Sequence, residues 1–175
     1  MYVWISGIVV LLIIIIYNSL VRTKNAVKNS WAGIDVQLKK RADLIPNLVS
    51  VVKGYATHEK TVLTKLTKIR SELLETKKDI KEVANTDAKL SSTLKSLFAV
   101  SEKYPKLRAN ENFLALQKEL SKLETQVAAA RRIYNENVMY YNTKIETFPT
   151  NIFAKVFGFT KETFFETTNK EAIKL

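Results

Sequence analysis

His58 is the chain's only histidine, and there is no cysteine. A general base, a metal centre or a thiol nucleophile therefore has little to be built from. His58 stands where a helix is expected to begin, a place where an imidazole more often caps or meets water than abstracts a proton. No carboxylate–histidine spacing suits zinc, no glycine-rich loop suits a phosphate, and no G-x-S-x-G occurs. The residues point to a protein that is not an enzyme and uses no cofactor or metal. The missing cysteines exclude disulfides and thiol chemistry without choosing a compartment.

Charged residues are the remaining candidates. Lys39-Lys40-Arg41 has the composition to meet a phosphate, but one short basic run on a helix usually marks a solvated face, so nucleic acid is disfavoured as a partner. Polar residues on inner helix turns carry more information. If the first and last long helices run antiparallel with Arg22 beside Phe148, Asp35 falls opposite Asn135 and within a turn of Arg131 and Arg132. A charge near a helical interior is rarely left unpaired, because burying it alone costs several kcal/mol, on the order of the penalties known for lone ions. These four residues are expected to fix interhelix register.

The elements that must position these groups begin with MYVWISGIVVLLIIIIYNSLV, residues 1–21, which hold no charge. About 20 apolar residues match a hydrocarbon core of about 30 Å, and in lipid such a segment must satisfy its own amides as a helix. Tyr2, Trp4 and Tyr17 lie near its ends, where amphipathic rings favour headgroups. No basic residue precedes the apolar run and no small-residue cleavage site follows it, so a retained single-pass anchor is expected rather than a cleaved signal. The remainder, about 150 residues, suffices for one domain with its own core.

Helical periodicity dominates that remainder, with only four glycines and three prolines in the chain. Val27, Trp31, Ile34, Leu38, Ile45 and Val52 keep one phase across Pro46, predicting a single kinked helix over about 22–55. Gly54 and Thr57 supply a stop and a new cap. A second helix is predicted at about 58–81. A break follows at Val83 to Asp87, and a third helix, at about 87–103, is capped by Asn85 or Thr86 and ended by Tyr104-Pro105. The fourth helix, at about 109–147, is the longest. The expected fold is all-α: a transmembrane helix (1–21), then an antiparallel up-down four-helix bundle with long first and last helices (22–148). A short amphipathic segment and mobile tail (149–175) complete it.

With these elements drawn, longer matches become legible. YNSLVRTKNAVKNSWAGIDVQLKKRADLIPNLVSVVKGYATHE (17–59), SEKYPKLRANENFLALQKEL (101–120) and RRIYNENVMYYNTKIETFPTNIFAKVFGF (131–159) resemble three signatures of the LemA family, in the family's order. The resemblance implies a bacterial membrane protein with an antiparallel helical bundle and no established catalysis. One branch of that family is associated with building magnetosome membranes, so membrane organisation is the implied theme.

Three expectations follow. All 28 basic residues lie beyond Val21, and residues 22–70 carry 11 Lys/Arg against 3 Asp/Glu; by the positive-inside bias the domain faces the cytoplasm from the inner membrane. The shorter middle helices cannot reach the membrane, so Val27, Trp31, Val138 and Tyr141 should form an incompletely covered neck, and an exposed apolar stripe there favours homo-oligomers. Four antiparallel helices return the chain to the bilayer, bringing Phe153, Val156, Phe157 and Phe159 to the lipid interface; the rival is that these side chains cap the bundle on Val27 and Trp31. The function expected is a membrane-anchored, self-associating scaffold that organises a membrane or presents a surface to another membrane protein. Its rivals are an electrostatic binder of anionic lipid or nucleic acid and an envelope enzyme with an unrecognised site.

Overall fold

The computed structural model describes residues 2–56, 58–75 and 79–166, the side chain of Val3 excepted. Every regular element among them is helical. In chain order these are α1 (Tyr2–Lys53), α2 (Lys60–Glu75), α3 (Ile80–Ser101), α4 (Pro105–Arg108), α5 (Glu111–Glu146) and α6 (Thr150–Val156). The chain divides into two compact units. Of the described residues, one is built from 2–33 and 131–164, the other from 34–130 with Phe165 and Glu166.

The apolar run and the first long helix are one element, with no boundary at Val21. By length and composition α1 is able to cross a membrane. Its apolar residues from Ile8 to Leu12, with Ile14, Ile15 and Tyr17, are exposed all round, the pattern of a segment solvated by lipid. From Leu20 onward burial narrows to one stripe of Leu20, Val27, Ile34, Leu38, Ile45, Leu48 and Val52. That one-sided spacing is the pattern of a helix packed on neighbours in water.

Pro46 lies inside α1, as its phase-keeping stripe predicts. Proline has no N–H, so the carbonyl of Ala42 loses its helical partner. In the second unit Arg70 of α2 repairs the loss, its Nε donating to the Ala42 carbonyl at 3.1 Å. Ala42 is fully buried, where an unmet carbonyl is costly.

Several boundaries differ from expectation. The third helix starts at Ile80, capped by Asp79, whose carboxylate accepts from the Lys81 amide at 2.9 Å. The predicted break at 83–87 is absent because Val83, Ala84, Thr86 and Asp87 are buried and belong to the inner face. The second helix spans Lys60–Glu75 rather than about 58–81, and the proposed cap Thr57 lies outside the described residues. Tyr104-Pro105 does end α3, but the chain makes a further turn, α4, which buries Leu107. Asn110 then caps α5 by accepting from the Phe113 amide at 3.0 Å.

The first unit departs most from expectation. Val27, Val138 and Tyr141 are buried, so the incompletely covered neck is not there. The cover is the chain after α6. Tyr134 donates to the Thr163 carbonyl at 2.8 Å and Tyr141 to the Thr160 carbonyl at 2.9 Å. Asn142 exchanges two hydrogen bonds with the backbone of Glu162, both 2.9 Å. Residues 160–163 are therefore tied down rather than part of a loose tail; 167–175 lie outside the described residues.

The Arg70 contact is separable from the rest of the packing. Arg70→Leu should lower unfolding stability in urea by about 1–2 kcal/mol, the scale of a buried carbonyl left unmet. In a Pro46→Ala background the helix regains its own donor, and the same change should cost about 1 kcal/mol less. Equal costs in both backgrounds would refute the pairing.

Candidate functional site

The most concentrated chemistry lies in the second unit, on three helices whose stripes each carry one charge. Arg41 of α1 is 2% exposed and Asp87 of α3 is fully buried. The Arg41 Nη1 donates to Asp87 Oδ1 at 2.8 Å, and its Nη2 pairs with Glu124 of α5. Ser91, one turn beyond Asp87, accepts from Nη2 at 3.1 Å and donates to the Glu124 carboxylate at 3.1 Å. A fork of guanidinium donors suits this because it is planar and can serve several acceptors at once. Burial pushes the Arg41 guanidinium below its ordinary value, and the Glu124 charge pulls it back up. An arginine held this way moves no proton near neutrality, so the group orients helices rather than doing acid–base work. A cavity of about 180 Å³ opens beside it, lined among others by Lys95, Phe98 and Leu120.

Sequence reasoning assigned register to other residues. Asp35 is exposed, and Arg132 reaches Glu136 on its own helix at 3.7 Å in an exposed pair. Arg131 and Asn135 are half-buried. Within the first unit Ser19 meets Lys144 at 2.5 Å and the Trp31 ring meets Tyr134 at 5.7 Å. The antiparallel pair is therefore offset by more than a turn from the assumed register. In the run Lys39-Lys40-Arg41 the two lysines are exposed, but Arg41 is interior. His58 is exposed, and among the described residues no cluster of three His, Asp or Glu could hold a metal. The signal that could have found Arg41 is phase: it lies three residues past Leu38 and four before Ile45, on the apolar stripe.

The first unit offers a second kind of site. Phe157 follows the last residue of α6, after which Gly158 takes φ 71°. Its amide reaches the Lys155 carbonyl at 3.3 Å, and the Phe159 amide reaches that of Ala154 at 2.9 Å. This paired closure needs a left-handed residue, hence glycine. The turn sets Phe157 and Phe159 edge-on to Tyr17, with ring centroids 5.0 and 6.1 Å away. Phe153 is half-buried and Val156 exposed. Phe157 and Phe159 thus meet Tyr17, while the Trp31 ring packs on Tyr134.

These features define an all-helical protein with one long, apolar N-terminal helix. Residues 30–174 match the model of the LemA family, and the chain belongs to that family. It is 30% identical over 138 residues to Protein LemA of Metamycoplasma hominis, covering 79% of this chain and 63% of the relative. It is 23% identical over 175 residues to Magnetosome protein MamQ 1 of Paramagnetospirillum magneticum, covering 86% and 64%. Magnetosome protein MamQ of Magnetospirillum gryphiswaldense is 21% identical over 174 residues, with 85% and 64% covered. The chain thus spans just under two thirds of the length of these relatives.

Two outcomes test the sites. Arg41→Met should destabilise the protein by about 3–5 kcal/mol, because the buried Asp87 carboxylate loses its guanidinium. Adding Asp87→Leu should recover most of that loss in urea unfolding; no recovery would mean the guanidinium acts only by packing. Burial, reinforced by Glu162, pushes the Tyr134 phenol up to about 12 from 10.0. The neutral phenol is therefore favoured in the fold. Its stabilising contribution is complete below pH 10 and lost as pH rises towards 12. Tyr134→Phe should cost about 1 kcal/mol at neutral pH and flatten the alkaline decline measured for the parent chain.

Proposed function

We propose that the protein is a single-pass, membrane-anchored helical scaffold that self-associates, with its helical domain on the cytoplasmic side of a bacterial inner membrane. The helices after the anchor, in this reading, form an up-down four-helix bundle. The observation that carries it is the continuity of α1, whose apolar, all-round-exposed start runs without interruption into the helix that builds the core. An anchor joined by helix rather than by a flexible linker fixes where a domain stands relative to a bilayer, which suits organisation more than diffusion-limited turnover. The relatives named as magnetosome proteins support a role in membrane organisation.

Self-association needs a surface other than the covered stripe of Val27, Val138 and Tyr141. Ile133 and Tyr140 of α5 are 50% and 61% exposed and stand two turns apart on one face, the spacing of a helix–helix seam. They are the candidate contact between copies. The excess of Arg22, Lys24 and Lys28 next to the anchor supports the cytoplasmic side.

Because the chain lacks cysteine, Ile133→Cys creates one thiol that tests both points in intact membranes. Oxidation should yield a disulfide-linked dimer, and the free thiol should react with a membrane-permeant maleimide but not an impermeant one. A product that stays monomeric would count against the homomeric scaffold. Reaction with the impermeant reagent in intact cells would reverse the orientation.

A further inference from the structure

Among the described residues, the apolar surface around α6 has no protein cover. Phe148, Ile152 and Val156 are 75%, 53% and 74% exposed, and Phe157 is 43% exposed. Ile152 and Val156 stand one turn apart on α6, and Phe148 lies in the turn that leads into it. Large apolar groups gathered in this way on so short a stretch mark an interaction surface rather than scattered surface hydrophobics.

Its place along α1 says what covers it. The first charged residue of the chain is Arg22, which sets where α1 can leave the apolar phase. Tyr17 lies five residues earlier, about 7 Å deeper along the helix. Phe157 and Phe159 pack on Tyr17, so the end of α6 reaches at least the depth of the last apolar turns of α1. The polar groups nearby are those of a headgroup layer. Lys144 bonds Ser19 at 2.5 Å, Lys24 lies 5.6 Å from the Phe159 ring centroid, and Lys155 is exposed between Ile152 and Val156. Lysines with apolar stems and ammonium tips serve that layer well.

We infer that Phe148, Ile152, Val156 and Phe157 form a second membrane contact, a short helix held in the bilayer interface with Lys155 among anionic headgroups. The inference rests on α1 being the anchor. The protein then meets the bilayer at two places: one helix crosses it, and a second element lies on it beside the exit point. The contact fixes the rotation of the domain about α1, which a lone transmembrane helix leaves free.

The cysteine-free chain permits a direct test. Full-length variants Leu11→Cys, Ile152→Cys, Val156→Cys and Ser92→Cys carry a nitroxide, one site each, in phosphatidylcholine–phosphatidylglycerol vesicles. Accessibility to oxygen, which concentrates in lipid, is compared with accessibility to a water-soluble nickel chelate. Ile152 and Val156 should show oxygen-to-chelate ratios shifted from the aqueous value at Ser92 towards the lipid value at Leu11. Aqueous ratios at 152 and 156 with a lipid ratio at Leu11 would overturn the second contact and leave the anchor standing. Aqueous ratios at all four sites would overturn both. Shielding of 152 and 156 from both reagents would assign the surface to protein and overturn the lipid contact. Unchanged helicity and melting of the unlabelled variants, expected for exposed side chains, excludes misfolding as the cause of any of these readings.

Discussion

On the proposed reading of α1 as an anchor, one helix has to serve two solvents. Where such a helix is surrounded by lipid it must be apolar on every side. Beyond Arg22 it must be apolar on one side only, because water meets the other. Most features of the chain follow from doing this without a break. The stripe from Leu20 to Val52 keeps a single phase, so the helices packed on it are placed by that phase. The cost falls at Pro46, where an unbroken helix loses a donor. Arg70 meets the freed Ala42 carbonyl from a neighbouring helix, so local strain becomes a tertiary contact.

The buried Arg41 and Asp87, with the partly exposed Glu124, answer a different need. Amphipathic helices with repetitive Leu, Ile and Val stripes can slide by a turn at small cost. A guanidinium that finds two carboxylates and a serine in only one register penalises the alternatives, the best-attested use of buried ion pairs. The exposed pairs do no such thing. Lys68–Glu72 and Arg132–Glu136, at 3.9 and 3.7 Å, lie within single helices in water, where such pairs contribute a few tenths of a kcal/mol, roughly.

The helices were legible because their stripes repeat over many turns: α5 and the end of α1 stand within about two residues of where periodicity puts them, whereas α2 stops at Glu75 and α3 begins seven residues early at Ile80. Short elements were not. α4 is one turn, too brief for a period, and it is recognisable only from Pro105 followed by the buried Leu107. The register was misread because Asp35 and the pair Arg131-Arg132 are conspicuous as charges. Arg41 hides in a basic run that looks like surface, and Asp87 hides in an expected break. Charge on an apolar phase is the better signal: Arg41 lies between Leu38 and Ile45, and Asp87 between Val83 and Leu90. The cover over Val138 and Tyr141 had no periodic signal at all, since an irregular segment binds through its backbone.

That cover has a geometry of its own. Tyr134 and Tyr141 are seven residues apart, about 10.5 Å along a helix. Their acceptors, Thr163 and Thr160, are three residues apart, a span of up to about 10 Å for extended chain. Two turns of helix thus match three residues of strap, and heptad-spaced tyrosines can carry an antiparallel irregular segment with each buried hydroxyl satisfied. The strap explains why a stripe that helices alone would leave open is closed. It also makes the exposure of α6 informative. The same thirty residues contain carbonyls aligned to buried phenols, a glycine placed at a left-handed position and, around α6, four large apolar side chains left outside. A segment whose backbone is tied to buried phenols in this way, yet which turns Phe148, Ile152, Val156 and Phe157 outward, has the arrangement that the proposed lipid contact requires.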